Sequence, residues 1–255
     1  MTSEWLLPGA ISNWMNAAGF VGYLPPTASL LAEKAGCHVT PPISWHARKS
    51  AADRCLLDYP GGFLFHTGNP NDGFNKVLKK YAAKWSRAKL PVWPHILPGN
   101  GYEYRQMVQM LENLENTGAV EIGLPGDIET SLVEELLQAS MGELPIYVSI
   151  PFLSQWQQWL DLLRLYTVAG IVLSAPRGCL PCNGSIVEGR LFGAGLFPQL
   201  IHQILELRDC GIPLIAGSGI FSYEQAEAAL QAGASGIQVD AWLWQLTPPT
   251  SPSRS

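Results

Sequence analysis

Apolar positions along the chain follow two rhythms. Short apolar runs bounded by Gly or Pro, the mark of buried strands, alternate with stretches whose apolar residues return every three or four positions, the mark of amphipathic helices. The alternation is regular from Pro91 onward. PVWPHILP (Pro91 to Pro98), AVEIGLP (Ala119 to Pro125), PIYVSIP (Pro145 to Pro151) and GIVLSAP (Gly170 to Pro176) read as strands. Helices are expected over Tyr102 to Asn116, Thr130 to Ala139, Trp156 to Val168 and Phe197 to Leu207. In the first, Met107, Met110, Leu111 and Leu114 form the inward stripe; in the third, Trp159, Leu160, Leu163 and Tyr166 do. The C-terminal quarter adds a strand at Pro213 to Ala216, a turn at Gly217, Ser218 and Gly219, and a helix from Ser222 to Ala232. A strand at Gly236 to Asp240 and a short closing helix follow.

The first third is less regular. Trp14 to Ala18 is a short buried strand ended by Gly19, and Pro25 and Pro26 open a helix that stops at Gly36. Cys37 to Ser44 is a second strand, broken by Pro41 and Pro42. Trp45 to Asn75 is a long excursion carrying Arg48, Arg54 and His66, and excursions of this length usually carry function. Asn75 to Lys84 is a basic helix whose lysines face solvent. Eight strands alternating with helices imply parallel pairing and right-handed crossovers, so the expected fold is a single (β/α)8 TIM barrel over residues 1–246. The Pro/Ser-rich tail, 247–255, is expected to be disordered.

Composition narrows the function. A length of 255 residues with 47% hydrophobic and only 15% charged residues suits one barrel-sized domain with a large core. A formal charge of −5 without a basic stripe argues against nucleic acid. Five cysteines make no disulfide framework, and no stretch approaches the ~18 apolar residues of a membrane span. MTSEWLLPGA lacks the features of a signal peptide, so a cytoplasmic protein without a membrane partner is expected.

Small residues at the last strand ends leave backbone N–H groups uncovered beside two helix N-termini, an arrangement that grips phosphate in many barrels. Several segments carry a more specific likeness. MNAAG (Met15 to Gly19), GFLFHTGNPNDG (Gly62 to Gly73), PVWPHI (Pro91 to Ile96), PIYVSI (Pro145 to Ile150) and LFGAGLFP (Leu191 to Pro198) occur in order. IPLIAGSGI and AGASGIQVDAWL close the series. From about Met15 to Trp244 the chain resembles the dihydroorotate dehydrogenase family of FMN-dependent barrels. The resemblance implies an FMN oxidoreductase, a small-molecule ligand at the C-terminal mouth, and a homodimer. It assigns flavin contacts to Ala18, Gly19, Thr40, Ser149, Gly193, Gly217, Ser218, Gly219, Asp240 and Ala241, and a substrate contact to Asn71.

The departures from the family pattern fall on its chemistry. Its two lysines correspond to Pro41 and Ser149, its strand-end asparagines to His95 and Gly123, and its first substrate asparagine to Phe65. Its N-T-T turn corresponds to Ala175 and Pro176, and Leu124 to Asp127 hold no counterpart of its catalytic Cys or Ser. Ordinary dihydroorotate oxidation is therefore not expected. His95, at a strand's C-terminal end, is the one replacement able to exchange protons near neutral pH, and is the candidate catalytic residue.

Other groups are read more plainly. Glu121 points into the barrel as a satisfied structural carboxylate, and Cys179 and Cys182 are two reduced thiols in a loop. No metal site is expected. Asp240 stands where the family it resembles has a small or neutral residue; either it turns outward and FMN binds weakly, or as a helix N-cap it accepts the amide hydrogen bonds and takes the phosphate's place. Three functional readings stay open: an FMN oxidoreductase of changed substrate, a barrel that has lost FMN and serves as a binding partner, and a lyase or isomerase acting on a phosphorylated metabolite.

Overall fold

A computed structural model describes residues 6–26, 33–154 and 156–246; the expected first helix lies partly, and the tail wholly, outside them. The strands are β1 (Trp14–Asn16), β2 (His38–Val39), β3 (Cys55–Tyr59), β4 (Gly62–His66), β5 (Val92–Trp93), β6 (His95–Ile96) and β7 (Val120–Gly123). They continue with β8 (Ile146–Pro151), β9 (Gly170–Ser174), β10 (Arg177–Cys182), β11 (Ser185–Phe192), β12 (Leu214–Ala216) and β13 (Gly236–Val239). A seven-stranded parallel sheet in the order β1-β13-β12-β9-β8-β7-β6 curls into a half-barrel, and β2 and β5 form a separate parallel pair.

Period-two alternation sorts each strand between two apolar layers. Ile122, Val148, Ile171, Leu214 and Ile237 pack outward with the helices, through Val108 and Leu111 of Gly101–Glu112, Leu136 of Thr130–Ser140, and Leu200 and Ile204 of Phe197–Leu207. The intervening positions face inward, where Met15, Val39, Trp93, Tyr147, Val172 and Ile215 form a second cluster. Trp93 and Tyr147 stack at 4.2 Å, and their polar tips reach the N-terminal segment: Trp93 Nε1 donates to Gly9 O, and Tyr147 Oη to Pro8 O, each at 2.9 Å. That segment plugs the end of the half-barrel opposite the strand C-termini.

Several expectations shift. Cys37 to Ser44 yields only a two-residue strand, because Pro41 and Pro42 stop the ladder; pairing resumes at the single bridge Ile43–Ile96. Pro94 likewise divides the next strand into β5 and β6. The predicted helix from Trp156 is a 3-10 turn, Trp156–Trp159, followed by a short α-helix, Leu160–Leu165. Met110, expected inward, is 39% exposed. The largest correction concerns the two segments read as loops. They form hairpins β3–β4 and β10–β11, which pair with each other into a four-stranded antiparallel sheet, β10-β11-β4-β3. This sheet lies at the C-terminal mouth as a lid. Phe63 stacks on Phe192 at 5.5 Å and on Trp244 at 5.8 Å, and Phe20 meets the same two rings, fastening lid to mouth.

Between β1 and β2 a side chain does the work of a ladder. Asn16 Oδ1 accepts from Val39 N at 3.1 Å while its Nδ2 donates to Val39 O at 2.6 Å, all fully buried. Asn16→Ala would strand both backbone groups of Val39 without water, at a cost of about 2–3 kcal/mol. Urea unfolding should show that loss; a change below about 0.5 kcal/mol, the usual range for inconsequential substitutions, would remove this role.

Candidate functional site

The C-terminal strand ends carry the polar inward residues. Glu121 on β7 is fully buried, and its register partner on β6 is His95. His95 Nδ1 lies 2.7 Å from Glu121 Oε1, and Gln238 Nε2, from β13, donates to Glu121 Oε2. Both carboxylate oxygens are thereby used as acceptors, so Nδ1 carries a proton and Nε2 is the ring nitrogen left outside this contact. The backbone N–H of His95 donates to Thr40 Oγ1 at 3.0 Å, which fixes the residue from the opposite side.

His95 Nε2 is buried and has no hydrogen-bond partner. It projects over Gly123, where an added Cβ would stand 2.4 Å from it, so the absence of a side chain at Gly123 makes room for the ring. Beside it is a void of about 10 Å³, lined also by Glu121, Ser149, Gln238, Arg190 and Phe192. That is room for about one water molecule.

Above this floor lie two larger cavities. One, of about 470 Å³, is lined by Ala18, Gly19, Phe65 and His66 together with Arg48, Arg177 and Arg190. The other, of about 270 Å³, shares the same arginines and adds Gly123, Ser149 and Ser174. The lid hairpin supplies two of the cations. Arg177 and Arg190 are directly opposed in the β10–β11 register, which a two-residue turn at Asn183 and Gly184 sets. Both turn residues have positive φ (49° and 81°), the conformation that Asn-Gly adopts in a tight hairpin. That dipeptide was the signal in the sequence for this hairpin, and hence for the arginine pair.

The expected flavin-contact residues do not all meet at one place. Ala18, Gly19, Ser149 and Gly217 line the mouth. Thr40 is buried behind His95, its hydroxyl donating to Pro41 O at 3.0 Å. Gly193 seats the lid: a Cβ there would lie 2.2 Å from Gly61 O, in the β3–β4 turn. Asn71 spends its amide within its own loop, accepting from Gly73 N and donating to Asn69 O and Ser44 Oγ. Cys179 and Cys182 lie on a strand rather than in a loop, and both are free thiols. Among the described residues no group of three His, Cys, Asp or Glu side chains is placed to hold a metal ion.

At the phosphate grip, Asp240 decides the chemistry. Its side chain is buried, and Oδ2 accepts from Ser218 Oγ at 2.8 Å. Burial raises its pKa to about 6, while Ser218 and the backbone amides of Ala241, Gly219 and Trp242 pull the other way. Oδ1 is buried without a hydrogen-bond partner, so a carboxylate sits among the amides beside Gly219, Ala241 and Trp242 without saturating them. At ~5 Å and an effective dielectric of 20, repulsion between it and a flavin phosphate would be about 3 kcal/mol per charge pair. The residues present do not fit the phosphate of FMN.

The raised pKa of Asp240 has a pH signature. The folded protein holds the proton up to about pH 6, the unfolded chain only to about 3.8, so stability falls as pH rises between them. Asp240→Asn cannot ionise and escapes that loss. Its stability relative to the parent should improve by about 2 kcal/mol between pH 4.5 and pH 8. Denaturant titrations at the two pH values check this; a pH-independent difference would mean Asp240 is not the titrating group.

Comparison of the chain with protein-family models and with curated proteins finds no match.

Proposed function

We propose that the protein is an acid–base enzyme of the lyase or isomerase type, acting on a small anionic metabolite held under the lid. The observation that carries this reading is the unpartnered Nε2 of His95, oriented through Nδ1 by a buried carboxylate and facing the mouth. A histidine so held is built to take and return a proton. Glu121 fixes the tautomer and stabilises the imidazolium that forms; Gln238 fixes Glu121. Transfer passes directly from Nε2 or through one water in the adjoining void.

The finer architecture belongs to the same proposal. The bridges Met15–Cys37 and Ile43–Ile96, with the β2–β5 pair and the Asn16 amide, support closure of the seven-stranded sheet through β2 into an eight-stranded (β/α)8 ring. Catalytic groups of that fold gather at the strand C-termini, which is where His95 stands. The third expectation from the sequence, a lyase or isomerase, is thus favoured over the FMN oxidoreductase. Its phosphorylated substrate is kept only as an anionic one, because the carboxylate of Asp240 stands at the phosphate grip.

The test is exchange of solvent deuterium into a panel of carboxylates that carry a C–H bond next to a carbonyl. The purified protein should catalyse exchange into at least one. His95→Asn and Glu121→Gln should lower that rate by about 10²–10⁴, the usual contribution of a positioned acid–base group. A flavin absorption band in the purified protein, or exchange unchanged in His95→Asn, would overturn the reading.

A further inference from the structure

The lid cavities are electrostatically one-sided. Arg48, Arg177 and Arg190 line both, and among the described residues no aspartate or glutamate lines either. Arg177 and Arg190 stand directly opposite each other across two strands, a pairing of like charges that destabilises a hairpin unless something lies between or beside them. Arg177 has one partner, Glu188 at 3.3 Å, but both side chains are mostly exposed and such a pair contributes at most about 1 kcal/mol. Arg190 is partly buried; burial first, and Arg177 second, hold its guanidinium below the ordinary range, while Glu121 opposes them. Arg190 is thus near enough to the His95–Glu121 floor to sense its charge, and it also lines both cavities above.

We infer that the lid cavity is a binding site for a small molecule carrying two anionic groups, one held by the Arg177–Arg190 pair and the other by Arg48. The inference deepens the acid–base reading by naming its substrate class, and rests on that reading only for what happens after binding. Guanidinium groups present planar forks that match carboxylate or phosphate oxygens two at a time. A dianion between opposed arginines removes the like-charge conflict that the hairpin register imposes. It also places the ligand beside the floor, since Ser149 and Gly123, neighbours of His95, line the same space as the arginines. At Gly217 to Gly219 the buried carboxylate of Asp240, bonded to Ser218, repels a second anion, whereas the arginines attract one.

Calorimetric titration of the purified protein with succinate, phosphoglycolate and acetate tests the site. One dianion at least should bind at least 10-fold more tightly than acetate, and the preference between succinate and phosphoglycolate tells whether the second group is a carboxylate or a phosphate. Arg190→Gln should weaken that binding at least 10-fold. Arg48→Gln, on an exposed loop where folding is not at stake, should weaken it several-fold. Equal binding of acetate, no binding of either dianion at millimolar concentration, or affinity unchanged in both variants would overturn the inference. His95→Asn separates the two proposals. Dianion binding retained in that variant, with exchange unaffected by the substitution, would remove the catalytic reading and leave this one. Exchange catalysed by a protein that binds no dianion would do the reverse.

Discussion

A fully buried carboxylate has to find its hydrogen bonds inside the protein, and Glu121 finds them on two other strands. His95 on β6 and Gln238 on β13 occupy its two oxygens, so one side chain ties near-opposite ends of the curled sheet together. An unsatisfied ionised group at this depth would cost several kcal/mol, so the sheet's curvature and the orientation of His95 are settled together. The same contact that keeps Glu121 satisfied leaves Nε2 as the imidazole atom facing outward. Structure and chemistry here are one arrangement.

The opposite solution holds at the last strand ends. There an acid has been placed among backbone amides at the strand ends, where Oδ2 of Asp240 accepts from Ser218 and Oδ1 is left buried without a partner. On the proposed reading, anion recognition rests on side chains at the lid instead. The change exchanges backbone donors, fixed by the barrel, for guanidinium groups carried on hairpins. The site thus depends on how the lid seats, through Gly193 against the β3–β4 turn and through the Phe63, Phe192 and Trp244 stack.

The parallel sheet was readable in the sequence because its signal is local: short apolar runs at a regular spacing, each bounded by Gly or Pro. His95 was singled out for its place at a strand end, and the inward pointing of Glu121 followed from the alternation. Their contact with Gln238 was not readable, since Gln238 is a neutral residue on a strand far along the chain, brought into reach only by curvature. The lid was misread as loops for a different reason. Its strands are partly exposed, β10 and β11 interleave polar residues, and the β4–β11 pairing that joins the two hairpins lies far apart in the chain. Asn183–Gly184 and Pro60–Gly61 marked the turns, but turn dipeptides gain meaning only when the flanking residues are paired across them. Arg48 stood out only as part of the long excursion; the fold is what sets it beside Arg177 and Arg190.

That lid also imposes an order of events on folding. Phe65 on the first hairpin pairs with Arg190 on the second, across a span of chain that contains most of the parallel strands. Closing so long a loop is entropically unfavourable until those strands have drawn its ends together, so the hairpins pair only after the strands between them have come together. Until then Phe63 and Phe65 have no neighbours from β11 or from Trp244, and the nascent chain carries an apolar edge ready to pair with another copy. The mouth is therefore assembled from segments that the parallel strands must first bring together, and its aromatic edge is open to misassembly on the way.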